Sequence, residues 1–178
     1  FEEASNWVKA KTKEDPKFST TIEEFYYHVD DALNEDKPFI YVLDSMDSIS
    51  TEDDVDKFKE KRKAYDKDKA ITGSYGTAKA KANSRNLSQI IPRLRKTGSI
   101  LIIISQTRDN IGFGAQFNPK TRSGGKALRF YATLEIWSSV KEHITTVVKG
   151  KKRDIGIVAQ LKIKKNRQIG REPVVEVT

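Results

Sequence analysis

Apolar and polar positions alternate along this chain with periods that change from segment to segment, and the changes mark its elements. Over residues 21–34 the apolar side chains Ile22, Phe25, Tyr26, Val29 and Leu33 recur at the 3.6-residue spacing of an amphipathic helix. Thr20 and Thr21, each followed three residues on by a glutamate, supply a capping-box start. Pro38 then opens the run Phe39-Ile40-Tyr41-Val42-Leu43, closed by Asp44, whose length suits a buried strand. Residues 52–69 are almost wholly charged and lack a wide apolar stripe, so they read as an exposed helix or mobile insertion without chemistry of its own. Leu87, Ile90, Ile91 and Leu94 predict a second amphipathic helix over 84–96, which Pro92 is expected to disturb. Ser99–Ser105, with five consecutive apolar residues, predicts the clearest buried strand, and it ends in Gln106.

Residues 107–125 contain Gly, Asn and Pro and show no periodicity, and loops of that length in a compact domain are usually functional or disordered. Beyond them a short helical turn is expected at 126–131. Strands follow at 132–138, 144–148, 155–165 and 172–177, the last stretch reading as an antiparallel β region. Helix, strand, helix, strand, with each strand ending in a polar residue, is the pattern of an open α/β sheet. Ligands in such sheets lie beyond the carboxyl ends of the strands, which makes Asp44 and Gln106 candidate site residues from pattern alone.

Composition sharpens this picture in three ways. With 178 residues the chain has the size of one ordinary domain, and it has no apolar run long enough to span a membrane. Cysteine is absent, which excludes disulfides and thiolate metal sites and fits a reducing cytosol. His28 and His143 have no partners at metal-ligand spacing, and Trp7 and Trp137 read as core residues. The net charge of +8 is concentrated between Lys79 and Arg129, where 11 basic residues face one acid, Asp109. Removing these from the 33 basic and 25 acidic residues leaves 22 and 24, a net of −2 elsewhere. Such a segment is the footprint of a polyanion partner such as nucleic acid, and a solvated basic face reads equally well from charge alone.

Specific motifs then narrow the choice. FIYVLDS (39–45) resembles a Walker B strand, in which a rigid apolar strand delivers one carboxylate beside nucleotide phosphates; a merely structural aspartate at a strand end fits this short motif as well. ISQTRDNIG (104–112) followed by NPKTRSGGKALRFYA (118–132) resembles the RecA recombinase family from its sensor glutamine through its second DNA-binding loop. RNLSQIIPRL (85–94) resembles the helix after the first DNA-binding loop, with Arg85, Ser88, Gln89 and Leu94 in register. KIKKNRQIGREP (162–173) resembles the family's Lys-Asn-Lys strand end, with Arg167 in the last basic position. Four matches in order over residues 20–178 are far harder to obtain by chance than any one.

The resemblance implies a RecA-like α/β fold of the P-loop NTPase type: an open central sheet flanked by helices, with a C-terminal antiparallel β region and truncated at its N-terminal side. Residues 1–178 would form part of the ATPase core, with a charged insertion and first DNA-binding loop at 52–82 and the second loop at 107–125. ATP and Mg2+ are the implied cofactors. Asp44 would hold magnesium through water, Ser45 would stand beside it, and Gln106 would sense the terminal phosphate and pass its presence to the following loop. Arg108 would meet DNA phosphates and Ile111 would wedge between bases. Arg85, Arg122 and Lys126 complete the basic DNA-binding set, and Gly124 and Gly125 would offer backbone N–H groups to a phosphate. Tyr75, between Gly73 and Gly76 where the first DNA loop belongs, would stack on a base or serve as a plain loop residue. Lys165 and Arg167 would reach a neighbouring subunit's ATP. The implied partners are single-stranded DNA, homologous duplex DNA and further copies of the protein in a helical filament, with no membrane, in the cytoplasm of a bacterial or phage-infected cell.

The chain also departs from the family's pattern. It contains no G-x-x-x-x-G-K-[ST] phosphate-binding loop, and residue 1 is Phe, so the expectation is that it begins after that loop and neither binds ATP tightly nor hydrolyses it alone. Glu2 and Glu3 match the catalytic glutamate by position only and are not assigned. Ser105 replaces the family's usual Asn before the glutamine, which, with the insertion at 52–69, fits a distant, phage-like branch. Two other readings stand beside a DNA recombinase. A RecA-fold ring helicase would share the Walker B strand and sensor glutamine but has no reason to carry GGKALRFYA. A non-catalytic DNA-binding paralogue would never have had the phosphate-binding loop.

Overall fold

A computed structural model describes residues 18–65, 78–109, 116, 120–122 and 125–178. The expectations placed on Glu2, Glu3, Trp7, Tyr75, Ile111 and Gly124 lie outside these residues. The chain divides into two compact units, Phe1–Leu128 and Arg129–Thr178.

In the first unit, helix α1 (Ile22–Asn34) starts where the capping-box sequence predicts. Of the two candidate threonines, Thr21 is the cap: its hydroxyl accepts from the Glu24 N–H at 3.1 Å, and the Glu24 carboxylate accepts from the Thr21 N–H at 3.2 Å. That carboxylate also accepts from the N–H of Thr20 at 2.7 Å and its hydroxyl at 2.8 Å. These donors, the Thr20 N–H foremost, hold the Glu24 carboxyl below the usual glutamate range. The apolar stripe Ile22, Phe25, Val29 and Leu33 is buried as its spacing requires.

Strand β1 (Ile40–Leu43) leads through helix α2 (Glu52–Tyr65) and helix α3 (Ala78–Thr97) to strand β2 (Ile100–Ile103). The two strands pair in parallel from Ile40 opposite Ile100 to Leu43 opposite Ile103, an arrangement that needs such a long crossover. Helix α2 buries none of its residues, in keeping with its charged sequence; its first turn is acidic and its last basic, as the helix dipole favours.

Helix α3 extends further than its apolar period suggests, beginning at Ala78 rather than residue 84, so 78–82 is helical and not loop. The added turns, Ala-Lys-Ala-Lys-Ala-Asn, have high helix propensity and bury Ala82 and Asn83. The helix also runs through Pro92. Losing the Pro92 N–H costs about 3 kcal/mol, and burying Leu87, Ile90 and Leu94 at about 1.5–3 kcal/mol each outweighs it. Helices α1 and α3 are joined by the Tyr26 hydroxyl donating to Asn83 Oδ1 at 2.9 Å, by the Arg93–Asp30 ion pair, and by Arg93 donating to Asn34 Oδ1 at 2.7 Å.

The strands differ from the expectation of full burial. Leu43 is buried, but Ile40, Val42, Ile100, Ile102 and Ile104 are 43–60% exposed on the alternate positions. Successive side chains point to opposite faces, and among the described residues helices cover only one face of this pair.

The segment 107–125 is more ordered at its base than its composition suggests. Strands β3 (Thr107–Asp109) and β4 (Lys120–Arg122) pair antiparallel, with Asp109 bonded to Lys120 at 2.6 Å. Helix α4 (Lys126–Tyr131) follows, where a helical turn is expected.

The second unit is an antiparallel sheet in the order β5-β6-β7: Leu134–Val148, Lys151–Asn166 and Val174–Val177. The strands expected at 132–138 and 144–148 are one continuous strand. Lys141, Glu142 and His143 are exposed on it, and the pairing with β6 continues past a register shift between Val140 and Glu142. Lys149 and Gly150, both at positive φ (51° and 73°), make the two-residue turn into β6, the geometry that matches strand twist. Trp137 is half-buried, its indole N–H donating to Glu135 Oε1 at 2.9 Å.

Candidate functional site

The parallel register fixes which residues meet at the carboxyl ends of β1 and β2. Asp44 leaves the sheet one residue after Leu43, and Gln106 three residues after Ile103, the partner of Leu43. Pairing persists past both strands: the Ile104 N–H donates to the Leu43 carbonyl and the Met46 N–H to the Ile104 carbonyl, each at 2.9 Å. Asp44 and Gln106 are exposed, while Ser45 is buried. Ser48 folds the loop back, its hydroxyl donating to the Ser45 carbonyl at 2.7 Å.

Asp47, which the motifs do not single out, ties the two strand ends together. Its Oδ2 accepts from the Gln106 N–H at 2.7 Å and the Ser105 hydroxyl at 3.1 Å, and its Oδ1 pairs with Arg108 at 3.3 Å. The Asp47 side chain is 6% exposed and that of Arg108 65%. Charge-assisted bonds to a buried carboxylate are stronger than neutral ones, so Asp47 fixes the backbone from which Gln106 projects. The small polar Ser105, at the place of the family's Asn, is one of its donors.

Helix α3 supports the same loop. Lys79 Nζ donates to the Met46 carbonyl at 3.3 Å, and Asn83 Nδ2 lies 3.7 Å from Met46 Sδ. Met46 and Asn83 are both fully buried. The first turns of α3 also meet the end of the 107–125 segment. Gly125 has φ +76°, and a Cβ placed on it would fall 2.6 Å from Ala80 Cβ. Both the backbone conformation and the contact require glycine there.

The remaining candidates are distributed as follows. Arg85 is exposed on α3 and lines, with Lys81, Glu23 and Asp53, a shallow cavity of about 260 Å³. Arg108 stands on β3, Arg122 ends β4 directly opposite Thr107, and Lys126 is exposed at the start of α4. In the second unit, Lys165 donates to the carbonyls of Arg129 and Phe130, and Arg167 to that of Phe130 at 2.8 Å. Both cations thus cap carbonyls in the last turn of α4, a favourable use of positive charge at a helix C-terminus. No motif anticipates these three bonds, nor the roles of Asp47, Lys79 and Asn83. The one sequence signal for Asp47 is its place three residues after Asp44, within the turn that leaves β1.

The RecA N-terminal domain family matches residues 61–176. This stretch runs from within α2 into β7 and covers most of the chain. The chain belongs to the RecA family. Its mixed helices and sheets are consistent with the N-terminal region of RecA. Similar relatives include Protein RecA of Streptococcus pneumoniae strain Hungary19A-6 and of strain JJA. Each is 32% identical over 115 residues, which cover 60% of this chain and 29% of the relative. The RecA match takes in Gln106, Arg108, Gly125, Lys165 and Arg167, whereas Asp44, Ser45 and Asp47 precede residue 61. Among the described residues no helix is long and apolar enough to cross a membrane.

Proposed function

We propose that the protein is an ATP-dependent homologous DNA recombinase: it assembles as a filament on single-stranded DNA, pairs it with homologous duplex and exchanges strands. The observation that carries this reading is the direct connection of Gln106 to a basic hairpin, on this reading a nucleotide sensor joined to a DNA-binding element. Gln106, at the sheet's carboxyl edge near Asp44, is followed at once by the basic β3–β4 stem, and that stem leads into the Gly125 turn and GGKALRFYA. A ring helicase has no use for that last motif.

The donor set at the strand ends fits ATP with Mg2+. Magnesium is usually held by one or two carboxylates together with phosphates and water, and Asp44 offers an exposed carboxylate where strands of an open sheet bind ligands. Asp44 and Ser45 would hold the metal side of the nucleotide and Gln106 its terminal phosphate; the bound nucleotide would supply the free energy that switches DNA affinity. Catalysis on this reading is phosphoryl transfer to water, achieved by positioning and charge stabilisation. Lys165 and Arg167 would stabilise charge on a neighbouring subunit's nucleotide after exchanging their α4 carbonyls for phosphate oxygens. Arg85, Arg108, Arg122, Lys126 and the Gly124–Gly125 pair would hold DNA phosphates, with Ile111 between bases. The place of action is the cytoplasm.

The test is a joint-molecule assay with the full-length protein, single-stranded DNA, ATP and either homologous or heterologous duplex. Pairing that depends on homology is the expected result. ATP-driven unwinding of a forked duplex without pairing would move the protein to the helicases, and neither activity would leave a DNA-binding paralogue. Gln106→Ala is expected to keep part of the DNA affinity and abolish DNA-stimulated ATP hydrolysis; unchanged stimulation would refute the coupling role.

A further inference from the structure

The resemblance that assigns Asp44, Gln106 and Arg108 gives no task to Asp47, yet Asp47 is the group that touches both the sensor glutamine's backbone and the first DNA-binding arginine. We propose that Asp47 is a positioning residue that fixes the segment Ser105–Arg108 and masks the Arg108 charge until phosphates of single-stranded DNA draw the arginine away. This rests on the reading of Arg108 as a DNA contact.

The geometry separates two tasks between the two carboxylate oxygens. Oδ2 takes the Gln106 N–H and the Ser105 hydroxyl, which are neutral donors fixed to the chain. Oδ1 takes Arg108 alone among the described residues. The carboxylate is nearly buried and cannot follow the arginine outward, because its own loop is held from behind by Lys79 on the Met46 carbonyl. The guanidinium, by contrast, is mostly exposed and carries five N–H donors in a rigid fork, so it can turn to a phosphate while Oδ2 keeps its donors. An ion pair with so exposed a partner is weak. A strand presenting a phosphate at every nucleotide displaces it, and the pair lowers affinity by the modest amount it is worth.

Asp47→Asn tests this division, because the amide oxygen still accepts at the Oδ2 position while the charge is gone. In the full-length protein, single-strand affinity is expected to rise about two- to fivefold. Arg108→Ala should weaken binding, and adding Asp47→Asn to it should change nothing further. If Arg108→Ala weakens binding but Asp47→Asn leaves affinity unchanged, the masking role is overturned and the DNA reading stands. If Arg108→Ala has no effect, the DNA reading of that residue falls and this inference with it. An equal gain from Asp47→Asn with and without Arg108 also overturns the inference, because it would mean general repulsion of DNA. Hydrogen exchange of the Gln106 amide in the unaltered protein gives a check that needs no variant: slow exchange without DNA is expected, and fast exchange overturns the clasp.

Discussion

Gly125→Ala offers the sharpest test of how the end of the 107–125 segment is anchored. Two costs are separable. An L-residue at φ +76° bears the left-handed penalty of about 1–2 kcal/mol. The new methyl would also lie 2.6 Å from Ala80 Cβ and 3.2 Å from Ala80 Cα, well inside ordinary carbon contact, and Ala80 has no flexible end to move aside. Overpacking of this kind costs about 1–3 kcal/mol, so the expected destabilisation is about 2–5 kcal/mol. Gly98→Ala isolates the first cost, because its φ is +69° and nothing lies within 4 Å of the added methyl. Ala80→Gly isolates the second: it should cost about 1 kcal/mol on its own in helix propensity. It should also reduce the effect of Gly125→Ala to the left-handed penalty, a coupling of about 1–3 kcal/mol. Equilibrium urea unfolding followed by circular dichroism reads the three single variants and the double variant against wild type. If Gly125→Ala cost no more than Gly98→Ala, or if Ala80→Gly left its effect unchanged, the close approach of the segment to α3 would be refuted.

Two further outcomes concern stability. The Glu24 carboxyl is held below its ordinary range by the Thr20 and Thr21 donors, so it contributes stability above the unfolded value of about pH 4.3 and loses it as pH falls through the lower, folded value. Glu24→Gln should therefore be less stable than wild type near neutrality, with the gap closing as pH falls through the lowered folded value of Glu24 in urea titrations; a gap independent of pH would count against the cap's charge. Pro92→Ala places an N–H in helical reach of the Ser88 carbonyl at an exposed position and should raise the unfolding free energy by up to about 3 kcal/mol, whereas a loss would show that the proline ring packs usefully.

What the sequence determined by itself were the features encoded locally. The helix period and Thr-x-x-Glu cap of α1, the apolar runs of β1 and β2, and the order of motifs that places the chain in the RecA family all depend on residues near one another in the chain. Asp44 and Gln106 were legible for the same reason, as polar residues ending apolar runs. Tertiary structure decided the rest. The register of β1 against β2 brings the Asp47 loop beside Ser105–Arg108, residues some 60 positions away, and no local pattern encodes that pairing. The first turns of α3 lack a wide apolar stripe and no period predicts them, because their burial rests on Ala82, on Asn83 held by the Tyr26 hydroxyl, and on Ala80 against Gly125. The long β5 reads as two strands because exposed charges break the apolar alternation, whereas the backbone ladder resumes beyond a register shift at Lys141. Lys165 and Arg167 read as phosphate ligands, but their contacts here are set by the backbone of α4, which offers carbonyls that any nearby cation satisfies. Sequence periodicity specifies which face of an element is apolar. It does not specify which distant backbone groups need a partner, and in this protein those groups lie around the Asp47 loop and the end of α4.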